Sequence, residues 1–181
     1  FSQVDEGAEL WIVGNARMDL TDLMAAAEKA PGRVRWLPRF IEDNEIPAIM
    51  RRADVLTLPY KDAEMSGVLY AGLAFGKPMV LSNVGGFAEV VEKYEAAELV
   101  PPEDSESLAA SLSRLVGDES ARAQLAGKAT AAASGPFSWS TLPAQTLDLY
   151  REIGASTPSS SPSRSSSCRA AALSPTTHSV P

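Results

Sequence analysis

Ser66-Gly67 and Gly85-Gly86 each stand where a polar or glycine-bearing loop opens a helix-forming stretch. A helix N-terminus presents backbone N–H groups and the positive end of the helix dipole, a combination that suits a phosphate. Ser66 can cap its helix, and Gly67 lets an anion come close to the backbone. Gly85-Gly86 reads either as a turn that needs positive φ or as a second anion nest. Each motif alone is equally an ordinary helix start. Two of them on one edge of an α/β sheet point to a phosphorylated ligand.

Other residues group around the same edge. Gly14, Arg17 and Arg39 follow strand signals, and the two arginines are candidate charge partners for a diphosphate or simply solvated surface groups. Tyr60 follows another strand and can stack on a sugar or base, or pack at a rim. Asp62 and Glu64 share the next loop, where they either bind sugar hydroxyls or form a solvated acidic turn. Glu89 in the first turn after Gly85-Gly86 stabilises that helix with no ligand required. Lys77 ends a helix, a structural role, and Trp11, Trp36 and Trp139 read as core or interface residues.

Several chemistries find no residues. The single histidine, His178, lies in a Ser/Pro-rich tail, so the domain can build neither a Ser-His-Asp triad nor a histidine metal site. One cysteine, Cys168, excludes an intramolecular disulfide and a cysteine zinc site. No Gly-x-x-x-x-Gly-Lys-Ser/Thr loop occurs, and no Gly-x-Gly-x-x-Gly opens a βαβ unit. The net charge of −7 and pI near 4.8 argue against nucleic acid as a partner. No apolar run approaches the roughly 20 residues of a membrane helix; peripheral association with a membrane is left open.

The elements that must position these residues alternate. Strands are expected at Glu9–Gly14, Arg33–Leu37, Val55–Leu58, Pro78–Leu81 and Glu98–Val100. Helices are expected at Thr21–Lys29, from Asp43 or Asn44 to Arg52, at Gly67–Phe75 and at Phe87–Lys93. A long alanine-rich helix starts at Ser105 or Ser107 and runs to Leu125 or Ala133; a last helix covers Ser140–Glu152. Strand–helix alternation predicts right-handed crossovers and an α/β, Rossmann-like, doubly wound parallel sheet. Ligands of such sheets sit beyond the carboxyl ends of the strands. Residues 1–153 form the predicted domain. Residues 154–181, dense in Ser, Pro and Thr, form a tail expected to be disordered.

The order of motifs is similar to that of a known family. Trp11-Ile-Val-Gly14, Val34-Arg-Trp-Leu-Pro-Arg-Phe40 and Ala53-Asp-Val-Leu-Thr-Leu-Pro-Tyr60 lead it. Ser66-Gly-Val-Leu69, Ala74-Phe-Gly-Lys-Pro-Met-Val80, Asn83-Val-Gly-Gly-Phe-Ala-Glu-Val90 and Leu99-Val-Pro-Pro102 continue it. From about Ala8 to Ile153 the chain resembles the C-terminal, nucleotide-sugar-binding half of GT-B glycosyltransferases of group 1, also grouped as family 4. The resemblance implies transfer of a sugar from a UDP, GDP or ADP donor, with retention of configuration and without a metal or other cofactor. The acceptor would be held by an N-terminal domain, and the enzyme would be cytoplasmic. It implies further that Arg39 and Phe40 lie by the nucleobase, and that Ser66, Gly67, Val68 and Leu69 meet the diphosphate and ribose. The loop carrying Glu64 would face the donor sugar.

The chain departs from the family pattern twice. The second of two glutamates common in this region aligns with Ala71 and the first with Ala63, which Glu64 replaces only with a one-residue shift. The family's first C-domain strand, followed by a basic loop for the diphosphate, would precede Phe1. The expectation is therefore a donor domain lacking its first strand and inactive alone. Two other readings stand beside it: a non-catalytic nucleotide- or anion-binding Rossmann module, and a sugar-nucleotide epimerase of GT-B architecture.

Overall fold

A computed structural model describes residues 4, 7–30, 32–62, 66–135, 137–138 and 141–156. Glu64, Trp139, Cys168, His178 and the rest of the serine-rich tail from residue 157 lie outside the described residues.

The strands and helices alternate as expected. β1 (Glu9–Val13), α1 (Thr21–Ala27), β2 (Arg33–Leu37), α2 (Ile46–Arg52), β3 (Leu56–Leu58), α3 (Gly67–Ala74), β4 (Met79–Ser82), α4 (Phe87–Tyr94) and β5 (Glu98–Val100) follow one another in order. α5 (Ser105–Gly117), α6 (Glu119–Ser134) and α7 (Thr141–Ser156) complete the described chain. The chain divides into a unit at 1–144 and a second from residue 145 onward. Of the second, the described part is the remainder of α7, which continues two residues beyond Gly154.

All ladders are parallel, but they fall into two sheets. β1 pairs with β2, from Glu9 opposite Arg33 to Val13 opposite Leu37. β3 pairs with β4, and β4 with β5, in a separate sheet. A single doubly wound sheet is what the alternation predicts; among the described residues the parallel strands form two separate sheets.

The core sits on the second sheet. β4 is Met-Val-Leu-Ser and buried along its whole length, as befits a strand with a neighbour on each side and helices over both faces. Leu58, Met79 and Leu81 face Leu69 and Leu73 of α3, Phe87 of α4 and Ala129 and Ala132 of α6. The alternate residue Val80 faces the other way, to Val100 and Leu115, as period-2 side-chain alternation requires.

Two local details differ from expectation, at α2 and in the long alanine-rich helix, while α5 starts at Ser105 as expected. α2 begins after Glu45, not at Asp43 or Asn44; the Glu45 carboxylate accepts from the Glu42 N–H and from Arg39. α5 is capped by Asp104, whose Oδ1 accepts from the N–H groups of Glu106 and Ser107. The long alanine-rich helix is two helices, because Asp118 turns extended (φ −117°, ψ 97°) and its side chain caps α6 through the Ala121 N–H. Lys77 has the structural role expected of it, though on another helix: its Nζ donates to the Ala53 carbonyl at 2.7 Å, closing the end of α2.

Candidate functional site

The carboxyl edge of β3–β4–β5 gathers the two glycine loops. α3 starts from Ser66, which is extended (φ −133°, ψ 121°) and makes no side-chain capping bond. Its hydroxyl instead lies 3.5 Å from the Tyr60 hydroxyl. The Tyr60 ring packs against Phe87, the first residue of α4, with centroids 5.7 Å apart. Tyr60 thus links the Ser66-Gly67 helix start to the Gly85-Gly86 helix start. Lys61 and Glu103 close the rim, with an ion pair of 2.6 Å joining the loops after β3 and β5.

The glycines at this edge do different things. Among the described residues, a Cβ at Gly67 would meet no atom within 4 Å, so they leave the space beside the start of α3 open. Gly85 has φ +50°, a left-handed conformation that glycine adopts without steric cost. Val68 is 40% exposed beside Gly67. Leu69 is placed differently: its side chain is fully buried and its N–H donates to the Ser66 carbonyl, so it supplies packing.

Gly14, Arg17, Arg39 and Phe40 occupy the carboxyl edge of the other sheet. Gly14 has φ +134°, and its N–H donates to the Leu37 carbonyl. Phe40 is 65% exposed, a free aromatic face just past β2. Arg39 is held in a two-point pair with Glu45, at 2.8 and 2.6 Å, and also donates to the Phe40 carbonyl. The same pair depresses the Glu45 carboxyl to about 2, helped by the bond from the Glu42 N–H. Arg39 is therefore a balanced charge that orients the loop of Phe40, an arrangement that depends on the turn between residues 39 and 45.

A cavity of about 890 Å3 lies away from the glycine loops, between β1, β2 and α1. Its lining is chiefly apolar, including Leu10, Ile12, Val34 and Trp36, with Asn15 and Arg17 among its polar residues. Lacking convergent polar groups, it has the character of an unfilled packing surface and not of a polar ligand site.

Residues 1–118 match the family model described as Glycosyl transferases group 1. The chain belongs to that family. Among curated relatives, it is 31% identical to the phosphatidyl-myo-inositol mannosyltransferase of Mycolicibacterium smegmatis over 80% of this chain and 37% of that protein. It is 36% identical to the D-inositol 3-phosphate glycosyltransferase of Salinispora tropica over 71% of this chain and 26% of that one. This group 1 chain thus spans well under half the length of these relatives. Among solved structures, Anabaena HepE in complex with UDP superposes with a TM-score of 0.71 at 25% identity, covering 83% of this chain and 43% of HepE. Sucrose-phosphate synthase from Thermosynechococcus elongatus shares the fold, with a TM-score of 0.67 over 82% of this chain and 39% of its own, at 22% identity. The group 1 chain thus has the α/β fold of one half of a GT-B enzyme.

Proposed function

We propose that the carboxyl edge of β3–β4–β5 binds the diphosphate of a nucleotide-sugar donor. On this reading the chain is the donor-binding part of a retaining, metal-independent glycosyltransferase. The observation that carries it is the convergence of two helix starts, α3 and α4, on one edge, with open space above Gly67 and a left-handed Gly85. HepE, which superposes on this chain, is a UDP complex, and that makes a uridine nucleotide the first donor to test.

In this arrangement the N–H groups of Gly67 and Val68 face one side of the diphosphate, and those of Gly85 and Gly86 the other. Neither set moves during the reaction. As the sugar–phosphate bond breaks, negative charge grows on the leaving nucleoside diphosphate, and fixed N–H dipoles stabilise it without reorganising. The Ser66 and Tyr60 hydroxyls, already 3.5 Å apart, add a polar contact at the same place. Phe40 offers an aromatic face to the base, and Glu64 is proposed at the sugar. Retention and independence of metal are carried from the family resemblance.

Thermal-shift measurements with UDP, GDP and ADP test the reading on this chain. Binding to the folded state alone raises the melting temperature in proportion to RT ln(1 + [L]/Kd). One nucleotide should raise it at millimolar concentration. No rise with any of the three contradicts a donor site here.

A further inference from the structure

The ion pair of Lys61 and Glu103 crosses the middle strand of the second sheet. Lys61 lies just past Leu58, the end of β3, and Glu103 just past Val100, the end of β5, with β4 between the two strands. β3 and β5 are thus two strand spacings apart, about 10 Å. That is too far for backbone contact but within the joint reach of a lysine and a glutamate side chain. Their charged ends meet at 2.6 Å, over the carboxyl end of β4. That strand leads through Asn83 and Val84 into Gly85-Gly86. Tyr60, the neighbour of Lys61 in the chain, packs against Ser66 and Phe87 at the two helix starts. The Lys61 ammonium is therefore held between the two glycine loops.

Charge gives this position its weight. Among the described residues, Lys61 is the basic side chain in the loops at this edge. Other basic side chains around the sheet serve its opposite end. Lys77 donates to the Ala53 carbonyl before β3, Arg114 pairs with Glu98 at the start of β5, and Lys128 pairs with Glu95. Arg39, at the edge of the other sheet, is balanced by Glu45. The edge itself carries Asp62, Glu103 and Asp104. A diphosphate placed there meets more carboxylates than cations, and backbone dipoles offset them with partial charges only. A full positive charge close to the phosphates therefore has a large effect.

Glu103 limits how fully Lys61 supplies that charge. Its backbone has φ +60°, in the left-handed region that favours glycine, yet the residue there is a glutamate. Both side chains are open to solvent, 80% and 65% exposed, and an exposed pair of this kind is weak enough to exchange partners. A diphosphate offers the ammonium more charge and more acceptor oxygens than one carboxylate does.

We infer that Lys61 binds the diphosphate of the donor and that Glu103 is its competing counter-ion, set in the rim across β4. On binding, the ammonium passes from the Glu103 carboxylate to the phosphate oxygens, and Glu103 turns to solvent; no covalent bond is made or broken. The counter-ion holds the lysine over β4 and makes donor affinity weaker than the cation alone would give. The inference rests on the donor reading and adds a cation to its backbone N–H groups.

The test titrates the whole 181-residue chain and its variants with UDP, GDP and ADP, read by the amide shifts of Gly67 and Gly85. For the nucleotide that binds, Lys61→Gln should weaken affinity by about tenfold, the scale of a hydrogen bond to a charged group. Lys61→Arg, which keeps the charge, should restore most of it. Glu103→Gln should strengthen affinity by about threefold, the scale of an exposed ion pair. In the double variant Lys61→Gln, Glu103→Gln that gain should vanish, because Glu103 acts through Lys61. Both side chains are exposed, so the variants keep the fold, and an unchanged circular dichroism spectrum checks that. Unchanged affinity in Lys61→Gln, or an equal gain from Glu103→Gln with and without Lys61, overturns the inference and leaves the donor site standing. No shift at either glycine with any of the three nucleotides in the parent chain overturns the donor reading and this inference together.

Discussion

Gly67 and Gly72 lie on the same helix, α3, and meet opposite surroundings. Among the described residues, a Cβ at Gly67 would meet nothing within 4 Å, whereas one at Gly72 would come within 2.5 Å of the Met79 sulfur and 2.9 Å of Leu56 Cδ2. The first glycine leaves room outside the protein; the second lets the helix press onto β3 and β4. The contrast separates binding from folding at two positions of one element.

Gly67→Val is expected to leave the melting temperature within about a degree of the unmodified chain, because the site is open and its backbone does not need positive φ. Nucleotide binding should fall below detection in titration calorimetry, since the branched side chain occupies the path of the phosphate. Binding retained at full strength would remove Gly67 from the site.

Gly72→Ala should do the reverse. The added methyl meets the buried Met79 side chain, and overpacking of this kind costs about 1–3 kcal/mol. Urea denaturation reads the loss as a lower midpoint at unchanged slope. A variant as stable as the parent would show that α3 shifts freely on the sheet.

The Arg39–Glu45 pair gives a pH signature. Glu45 is depressed from the ordinary 4.5 to about 2, first by the Arg39 hydrogen bonds and then by the bond from the Glu42 N–H. A lowered carboxylate stabilises the folded state above its unfolded value, and this contribution is lost as pH falls from 4.5 towards about 2. Carbon-detected NMR of Glu45 should titrate near 2, and Arg39→Ala should return the midpoint towards 4.5. An unchanged midpoint in the variant would contradict the pairing.

Asp118 holds the break between α5 and α6 by accepting from the Ala121 N–H at 2.9 Å. Asp118→Ala removes that cap and should destabilise the chain by about 0.5–2 kcal/mol, measured in the same denaturation experiment. No loss would mean that the break is held by tertiary packing alone.

Much of the fold is legible in the sequence because its signals are local. β2 at Arg33–Leu37 and β5 at Glu98–Val100 have the bounds read from their short strand-forming runs. Ser66-Gly67 and Gly85-Gly86 announce their helices for the same reason. What was missed depends on side chains meeting across turns or on pairing between distant strands. The Asp118 cap hides inside an alanine-rich run whose helix propensity favours continuation. Arg39 reads as a cation for phosphate until the turn brings Glu45 to it. Leu69 sits in the same motif as Gly67, and its burial follows from α3 lying on the sheet. The division of the ladders into two sheets is a non-local property that no stretch of residues announces.

The central claim, a diphosphate site at the carboxyl edge of β3–β4–β5, is tested most directly by amide NMR of the labelled chain during titration with UDP. Fast-exchange shifts report even weak sites residue by residue. The account predicts the largest changes at Gly67, Val68, Gly85 and Gly86, with smaller ones at Tyr60 and Phe40 and little in α5 or α6. Shifts centred elsewhere, or no shift at these glycines at millimolar UDP, GDP or ADP, would contradict it.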